Sequence, residues 1–240
     1  MTSLTTEQTG HAATIAAVGL SRDLPPRAVT IALATALQES HLRNLPHGDR
    51  DSLGLFQQRP SYGWGTAEQV RDPVHAATRF YTALERVEGY ADLPLTEAAQ
   101  KVQRSGHPDA YAKHEARAEL LASALTGRSG TALTCSVLVA GLKGQPDAVR
   151  ADITREFGAD GVVGAPSSEG GTGADLHVAV SQAQHGRAVA RWAIARASTL
   201  GIRRVVFDGH VWTAGTAGGS LVKDLSARDD AISIAVTRSG

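Results

Sequence analysis

The chain has 240 residues with 24 basic and 24 acidic side chains, a pI near 7.1, 42% hydrophobic residues and only 5% aromatic ones. That length suits two modest domains better than one. A neutral sum gives no field to gather nucleic acid or an anionic membrane, and no apolar run approaches the ~18–20 residues of a membrane span. A lone cysteine, Cys135, allows neither an internal disulfide nor a thiolate zinc site. The opening Met-Thr-Ser-Leu-Thr-Thr-Glu-Gln lacks the basic and apolar regions of a secretory signal, which leaves either a cytoplasmic protein or a chain whose leader has been cut away.

In chain order, residues 1–126 read as helices around one long irregular stretch. Pro25-Pro26 fits a helix start, with Val29, Leu33, Ala36, Leu37 and Ser40 at helical spacing. That helix is apolar nearly all round and is therefore expected at the centre of the domain. Asp72-Pro73 is a cap and opening proline for the next helix, whose Val74, Ala77, Phe80, Tyr81, Leu84 and Val87 form a core stripe. Further helices are expected over 96–104 and 108–125, with Gly127 as the stop.

Gly127-Arg128-Ser129-Gly130-Thr131 has the composition of a flexible connection, so 127–133 is predicted as a linker. From residue 134 to 240, short β-branched runs at 135–140, 176–180, 204–207 and 232–236 alternate with helical periodicity at 146–157 and 184–200. The order β-α-β-α-β-β predicts a small sheet with helices on a face, so the chain as a whole is expected to be α+β. Formal charge is −2 over 1–126 and +2 over 127–240, so neither half is a charged tail.

Arg43 to Asp72 holds about thirty residues without periodicity, and a compact domain rarely carries so long a loop unless it binds something. Asp49, Asp51, Ser52, Gln57, Gln58, Arg59, Ser61, Tyr62 and Trp64 supply hydrogen-bonding groups and flat faces, while Gly48, Gly54, Gly63 and Gly65 permit tight turns. Carbohydrate asks for this mixture, because a sugar ring presents hydroxyls at its edge and C–H groups on its faces. Just ahead of the loop, Glu39 ends the apolar helix. The negative helix pole and an apolar setting both disfavour a charged carboxylate, which suits a general acid for glycoside cleavage.

Glu39-Ser40, Asp51-Ser52-Leu53-Gly54-Leu55-Phe56-Gln57 and Ser61-Tyr62-Gly63-Trp64-Gly65, followed by Val102 to Tyr111, resemble in order the motifs of the lysozyme-like fold of lytic transglycosylases and goose-type lysozymes. The resemblance spans residues 5–125 and is nearest in look to secreted cell-wall proteins of actinobacteria. It implies a mainly α lysozyme-like domain that cleaves the bond between N-acetylmuramic acid and N-acetylglucosamine, outside the membrane, with peptidoglycan strands as partner and no cofactor. By the same resemblance Glu39 would be acid and then base, steadied by Ser40. Gln57 and Tyr111 would bind the sugar, and Trp64, with Tyr62 beside it, would offer stacking faces. A retaining hydrolase needs a second carboxylate ~5 Å away and an inverting one ~6.5–9.5 Å away. Asp49 and Asp51 are the candidates, with loop capping as their other reading. Without either, the single-carboxylate route of transglycosylases remains. The alternative to an enzyme is a non-catalytic peptidoglycan binder.

None of the nine histidines has the spacing of a helical zinc motif. Gly170-Gly171-Thr172-Gly173 lacks the lysine of a phosphate cradle, and Trp192 and Trp212 read as core. Over 134–238, Gly173-Ala174-Asp175, Ala190-Arg191-Trp192, Leu200-Gly201-Ile202, Val211-Trp212 and Asp230-Ala231-Ile232-Ser233-Ile234 resemble zinc D-alanyl-D-alanine carboxypeptidases in outline. Ser168 stands where that family has a histidine and Asp230-Ala231-Ile232-Ser233 where it has Asp-His-Xaa-His, which leaves Asp175 alone, so the resemblance implies a zinc-less, non-catalytic α/β domain that binds or scaffolds.

Overall fold

The computed structural model describes residues 3–105, 108–129, 143–158, 176–215, 220–223 and 231–237. The expected strand at 135–140, the Gly170–Gly173 loop, His107, Ser168, Asp175 and Asp230 lie outside those residues. The chain forms two compact units, Met1–Ser123 and Ala124–Gly240, and the whole is α+β.

The first unit contains α1 (Thr6–Ser21), α2 (Pro26–Ser40), α3 (Ala67–Arg71), α4 (Pro73–Leu84), α5 (Leu95–Gln103) and most of α6 (Glu115–Leu125). Two 3-10 segments, Pro60–Tyr62 and Pro108–His114, join them. Pro25 caps α2 with Pro26 at its first position, as the sequence predicts, and every residue from Ala28 to Leu37 is buried. α2 is therefore the central rod, packed by α1, α4, α5 and the second 3-10 segment. Gly19 lets α1 come close, since a Cβ there would stand 2.8 Å from Val29 Cγ2 and 2.9 Å from the Tyr81 hydroxyl. Asp72 caps α4 by accepting from the Val74 and His75 N–H groups at 2.9 and 3.0 Å. Of the predicted α4 stripe, Ala77, Phe80, Tyr81 and Leu84 are buried, while Val74 and Val87 are half-buried.

Two expectations change here. The supposedly irregular stretch contains α3, started by a capping box in which Thr66 Oγ1 accepts from Gln69 N–H and Gln69 Oε1 from Thr66 N–H. The single helix expected over 108–125 is a 3-10 segment followed by α6. With three residues per turn, Tyr111 and His114 eclipse one another and both face α2, which the α-helical turn would not achieve as closely.

The second unit has α7 (Pro146–Phe157), β1 (Leu176–Ala179), α8 (Ala183–Ala195), α9 (Ala197–Leu200), β2 (Ile202–Phe207), β3 (His210–Thr213), β4 (Ser220–Lys223) and β5 (Ala231–Val236). The strands form one antiparallel sheet in the order β1-β5-β2-β3-β4. Alternation buries Leu176, Val178, Val205, Phe207, Trp212, Ile232 and Ile234. α8 packs on β2 and β5, closely enough that a Cβ on Gly186 would stand 2.1 Å from the Phe207 ring. Trp192 and Trp212 are both core, and the expected helix over 184–200 breaks at Arg196 into α8 and α9.

Gly127 ends α6 as predicted, with φ 72. The described part of the expected linker is not a free connection, however. Gln184 and Arg187 donate to the carbonyls of Thr126 and Gly127 at 3.2 and 2.9 Å, and Arg191 bonds the carbonyls of Ala124 and Ser129. These side chains supply the donors that orphaned helix-end carbonyls require, so 124–129 is built into the second unit.

Candidate active site

The C-terminus of α2 sets the site. The chain leaves the helix through two left-handed residues, His41 (φ 54) and Leu42 (φ 61), and Leu42 N–H bonds the Ala36 carbonyl at 3.1 Å. Gln8 and His11 of α1 reach the carbonyls of His41 and Leu42, both at 2.8 Å. The end of α2 is thereby fixed on both sides, and Glu39 stands on it half-buried.

Tyr111 donates its hydroxyl to Glu39 Oε1 at 2.7 Å. The tyrosine is wholly buried, and burial first, with the Glu39 carboxylate beside it, raises its pKa well above the usual phenol value. It therefore stays a donor at any pH the protein meets. That bond holds Oε1 of the Glu39 carboxyl. One residue earlier on α2, Gln38 Oε1 meets His114 Nε2 at 3.2 Å, an arrangement that needs the ring N–H on that nitrogen.

The loop that follows is anchored by its apolar residues and by side chains that bond its carbonyls. Leu55 and Phe56 are wholly buried, and Phe56 stacks on Phe80 of α4 with centroids 4.7 Å apart. Burying such side chains contributes roughly 1.5–3 kcal/mol each. Leu53 and Gln58 exchange two backbone bonds of 3.0 Å around the intervening turn. Gln103 of α5 donates to the Phe56 carbonyl at 2.7 Å, Gln58 to that of Ala76 at 3.0 Å and Arg79 to that of Gly63 at 3.1 Å. His75 Nε2 meets the Trp64 carbonyl at 3.1 Å.

Ser40 belongs to this scaffold. It is 2% exposed, and its hydroxyl bonds the carbonyls of Leu55 at 2.7 Å and Ala36 at 3.1 Å, so it ties the loop to α2 and presents no group to a ligand. Asp51 also differs from a free carboxylate. Oδ1 accepts from Arg59 Nε at 2.6 Å and Oδ2 from Ser61 N–H at 2.8 Å. The Ser61 N–H, and then the Arg59 guanidinium, hold its pKa far below the usual carboxylate range. Between the two expectations for Asp51, the loop-capping one describes its bonds. Asp49 is exposed, and its backbone carbonyl accepts from Ser52 N–H at 3.0 Å.

Gln57 sits at the turn with φ 48, half-buried, its amide donating to the Gly54 carbonyl at 3.2 Å. Trp64 is half-buried, whereas Tyr62 is 68% exposed, with the Arg59 guanidinium 4.2 Å over its ring. The 3-10 turn Pro60–Tyr62 places that ring on the surface, and Asp51 braces the turn through Arg59 at its start and Ser61 at its middle. The expected site residues thus divide. Glu39 and Tyr111 meet directly, Tyr62 and Trp64 offer aromatic surface, Gln57 lines the turn, and Ser40 and Asp51 hold the frame. Sequence reasoning did not anticipate Gln38, His114 or the stacking of Arg59 on Tyr62, and it placed Gln103 only within the Val102–Tyr111 run, without its bond to Phe56. Only the Tyr111/His114 spacing of three carried a signal, and it reads as 3-10 only once the helix is known to start late.

Among the described residues no group of three His, Cys, Asp or Glu side chains is placed to hold a metal ion. No helix among them is long and apolar enough to cross a membrane. A family model described as VldE, C-terminal domain, matches residues 141–231, a stretch of the second unit that runs from ahead of α7 to the first residue of β5. No curated protein matches the chain.

Proposed function

We propose that the first unit cleaves peptidoglycan glycan strands between N-acetylmuramic acid and N-acetylglucosamine, outside the membrane, with Glu39 as the one general acid and base. The reading is carried by the Glu39–Tyr111 pair, a half-buried carboxyl at a helix C-terminus whose one oxygen is held at 2.7 Å by a buried phenol. Glu39 protonates the glycosidic oxygen as the C–O bond breaks. The resulting carboxylate then takes a proton from the hydroxyl that attacks the sugar's anomeric carbon. Tyr62 and Trp64 stack against sugar faces, and Gln57 faces the strand at the turn.

The loop carboxylates bear on which hydroxyl attacks. Asp51 has both oxygens engaged and is a weak base, and Asp49 is exposed on the loop. This favours the route that needs no second carboxylate, in which the muramic acid's own 6-hydroxyl attacks and closes an anhydro ring. The second unit takes no part in the chemistry.

The test is turnover of purified cell wall by the full chain and by Glu39→Gln, with mass spectrometry of the released muropeptides. The wild type should release anhydromuramic ends, and the variant should lose about 10²–10⁴-fold in rate, the usual contribution of a general acid. Reducing ends would assign a water-using hydrolase. Wall binding by both proteins without turnover by either would make the chain a binder.

A further inference from the structure

We infer that Arg59 is a carboxylate-recognition group, presenting its terminal guanidinium nitrogens to an acidic substituent of the strand whose sugar stacks on Tyr62. The inference rests on the glycan reading for its ligand. It stands on how Arg59 is held. Asp51 engages only Nε, at 2.6 Å, because its second oxygen is taken by the Ser61 N–H at 2.8 Å. A free carboxylate would grip the guanidinium with both oxygens; this one cannot. Arg59 Cζ lies 4.2 Å from the Tyr62 ring centroid, and beyond Asp51 and Tyr62 the guanidinium has no partner among the described residues.

The consequence is a rigid fork. An exposed arginine ordinarily loses side-chain entropy when it closes on an anion, and here Asp51 and Tyr62 have already removed that freedom. The two terminal nitrogens match the spacing of a carboxylate's oxygens. A peptidoglycan strand has two sources of that group beside its sugars: the lactyl acid of muramic acid where no peptide is attached, and the acids of the peptide stem where one is. Lysine would not serve, since it lacks both the fork and the flat face that rests on Tyr62.

The experiment is equilibrium binding of the full chain in a Glu39→Gln background, which leaves the ligands intact, alone and with Arg59→Gln or Arg59→Lys. Three soluble ligands are compared: strands with peptide stems, strands stripped of stems so that lactyl acids are free, and neutral chitin oligosaccharides. Both substitutions should weaken binding to one acidic ligand by about tenfold, the loss of one charge-assisted pair, and leave chitin within about twofold. The acidic ligand affected identifies the source. Equal weakening on chitin would make Arg59 a mere support for Tyr62, and no weakening on either acidic ligand would remove the role altogether; both overturn the inference while the glycan reading stands. If the parent binds none of the three, the glycan reading itself falls.

Discussion

In the first unit, helix side chains reach for loop carbonyls, Ser40 for Leu55, Gln103 for Phe56 and Arg79 for Gly63, while Gln58 of the loop reaches back to the Ala76 carbonyl of α4. In the second unit, polar side chains chiefly join its own elements. Glu156 of α7, 3% exposed, accepts from the Trp192 indole of α8 at 2.6 Å, Arg196 bonds Asp152 at 3.0 Å, and Arg187 bonds Asp208 at 3.1 Å. The first pattern fixes an irregular backbone and leaves Glu39, Tyr62 and the Arg59 fork with capacity to act on something else. Among its described residues the second pairs Arg150, Arg187 and Arg196 with its own carboxylates. The proposed glycan cleavage rests on the first of these patterns, a well-anchored frame around incompletely partnered groups.

The comparison is broken most severely by removing the loop's anchorage. Gly54 has φ 75, and a Cβ there would stand 2.3 Å from the Val70 carbonyl oxygen, a backbone atom that cannot swing aside. Gly54→Ala should cost the first unit about 3 kcal/mol and abolish cleavage. Gly63, at φ 79 with open space around it, isolates the conformational part of that cost; Gly63→Ala should cost about 1 kcal/mol. Denaturant midpoints of the two variants check the contrast, and equal midpoints would refute the anchoring role given to the Gly54–Val70 contact.

On the other side of the comparison, Glu156→Leu leaves the buried Trp192 indole N–H without its acceptor. It should destabilise the second unit by about 2 kcal/mol, the penalty for a stranded buried donor, while wall cleavage is unchanged. Tryptophan fluorescence during denaturation reads the first effect and the muropeptide assay the second. A fall in cleavage would contradict the separation of roles.

A finer distinction is available within the site. Tyr111→Phe keeps the buried ring and removes only the hydroxyl that holds Glu39 Oε1. It should lower kcat about tenfold with KM and thermal stability nearly unchanged, since 1.4 kcal/mol of lost orientation is one power of ten. If KM rises and kcat does not, Tyr111 contacts the sugar and does not position the acid.

What the sequence discloses follows the strength of local signals. Pro25-Pro26, Asp72-Pro73 and the 146–157 periodicity specify helices whose starts the structure reproduces, because caps and prolines act within a turn of themselves, while the helix opened at Pro73 stops at Leu84, short of the expected Val87. β3 went unrecognised although Asp208-Gly209, with φ 50 and 68, is the two-residue turn that closes Phe207 on His210. The β3 run of four residues is too short to show alternation. Glu39 was legible because its setting on an apolar helix end is local. Ser40 was assigned to Glu39 as its neighbour, yet its hydroxyl meets a residue fifteen positions away. Asp51 could be a clamp or a free carboxylate until Arg59 and Ser61 were in place. Such roles depend on how a loop folds back, which no periodicity records.

The smallest effect concerns pH. Burial first, and then the positive fields of Lys113, His41 and Arg117, push the pKa of His114 below its ordinary value, and its partner Gln38 is satisfied by the neutral ring. The unfolded chain, with histidine near 6.5, therefore takes up a proton at a higher pH than the folded one. Between those two values the unfolded state binds more protons, so stability rises with pH across the window and is lost as pH falls through about 6.5 toward the folded value. Asp51 contributes nothing to that window, because its depressed pKa keeps it ionised there and its own stabilisation disappears only in far stronger acid. Partial exposure of His114 screens the effect, so the shift should be small. Thermal melts at pH 7.5 and 5.5 should show a fall in Tm for the wild type and a lesser fall for His114→Gln, which keeps an N–H donor for Gln38 but cannot take up a proton. Since His114 stands one 3-10 turn beyond Tyr111, an equal fall in both proteins would separate the acid sensitivity of the fold from the segment that holds Glu39.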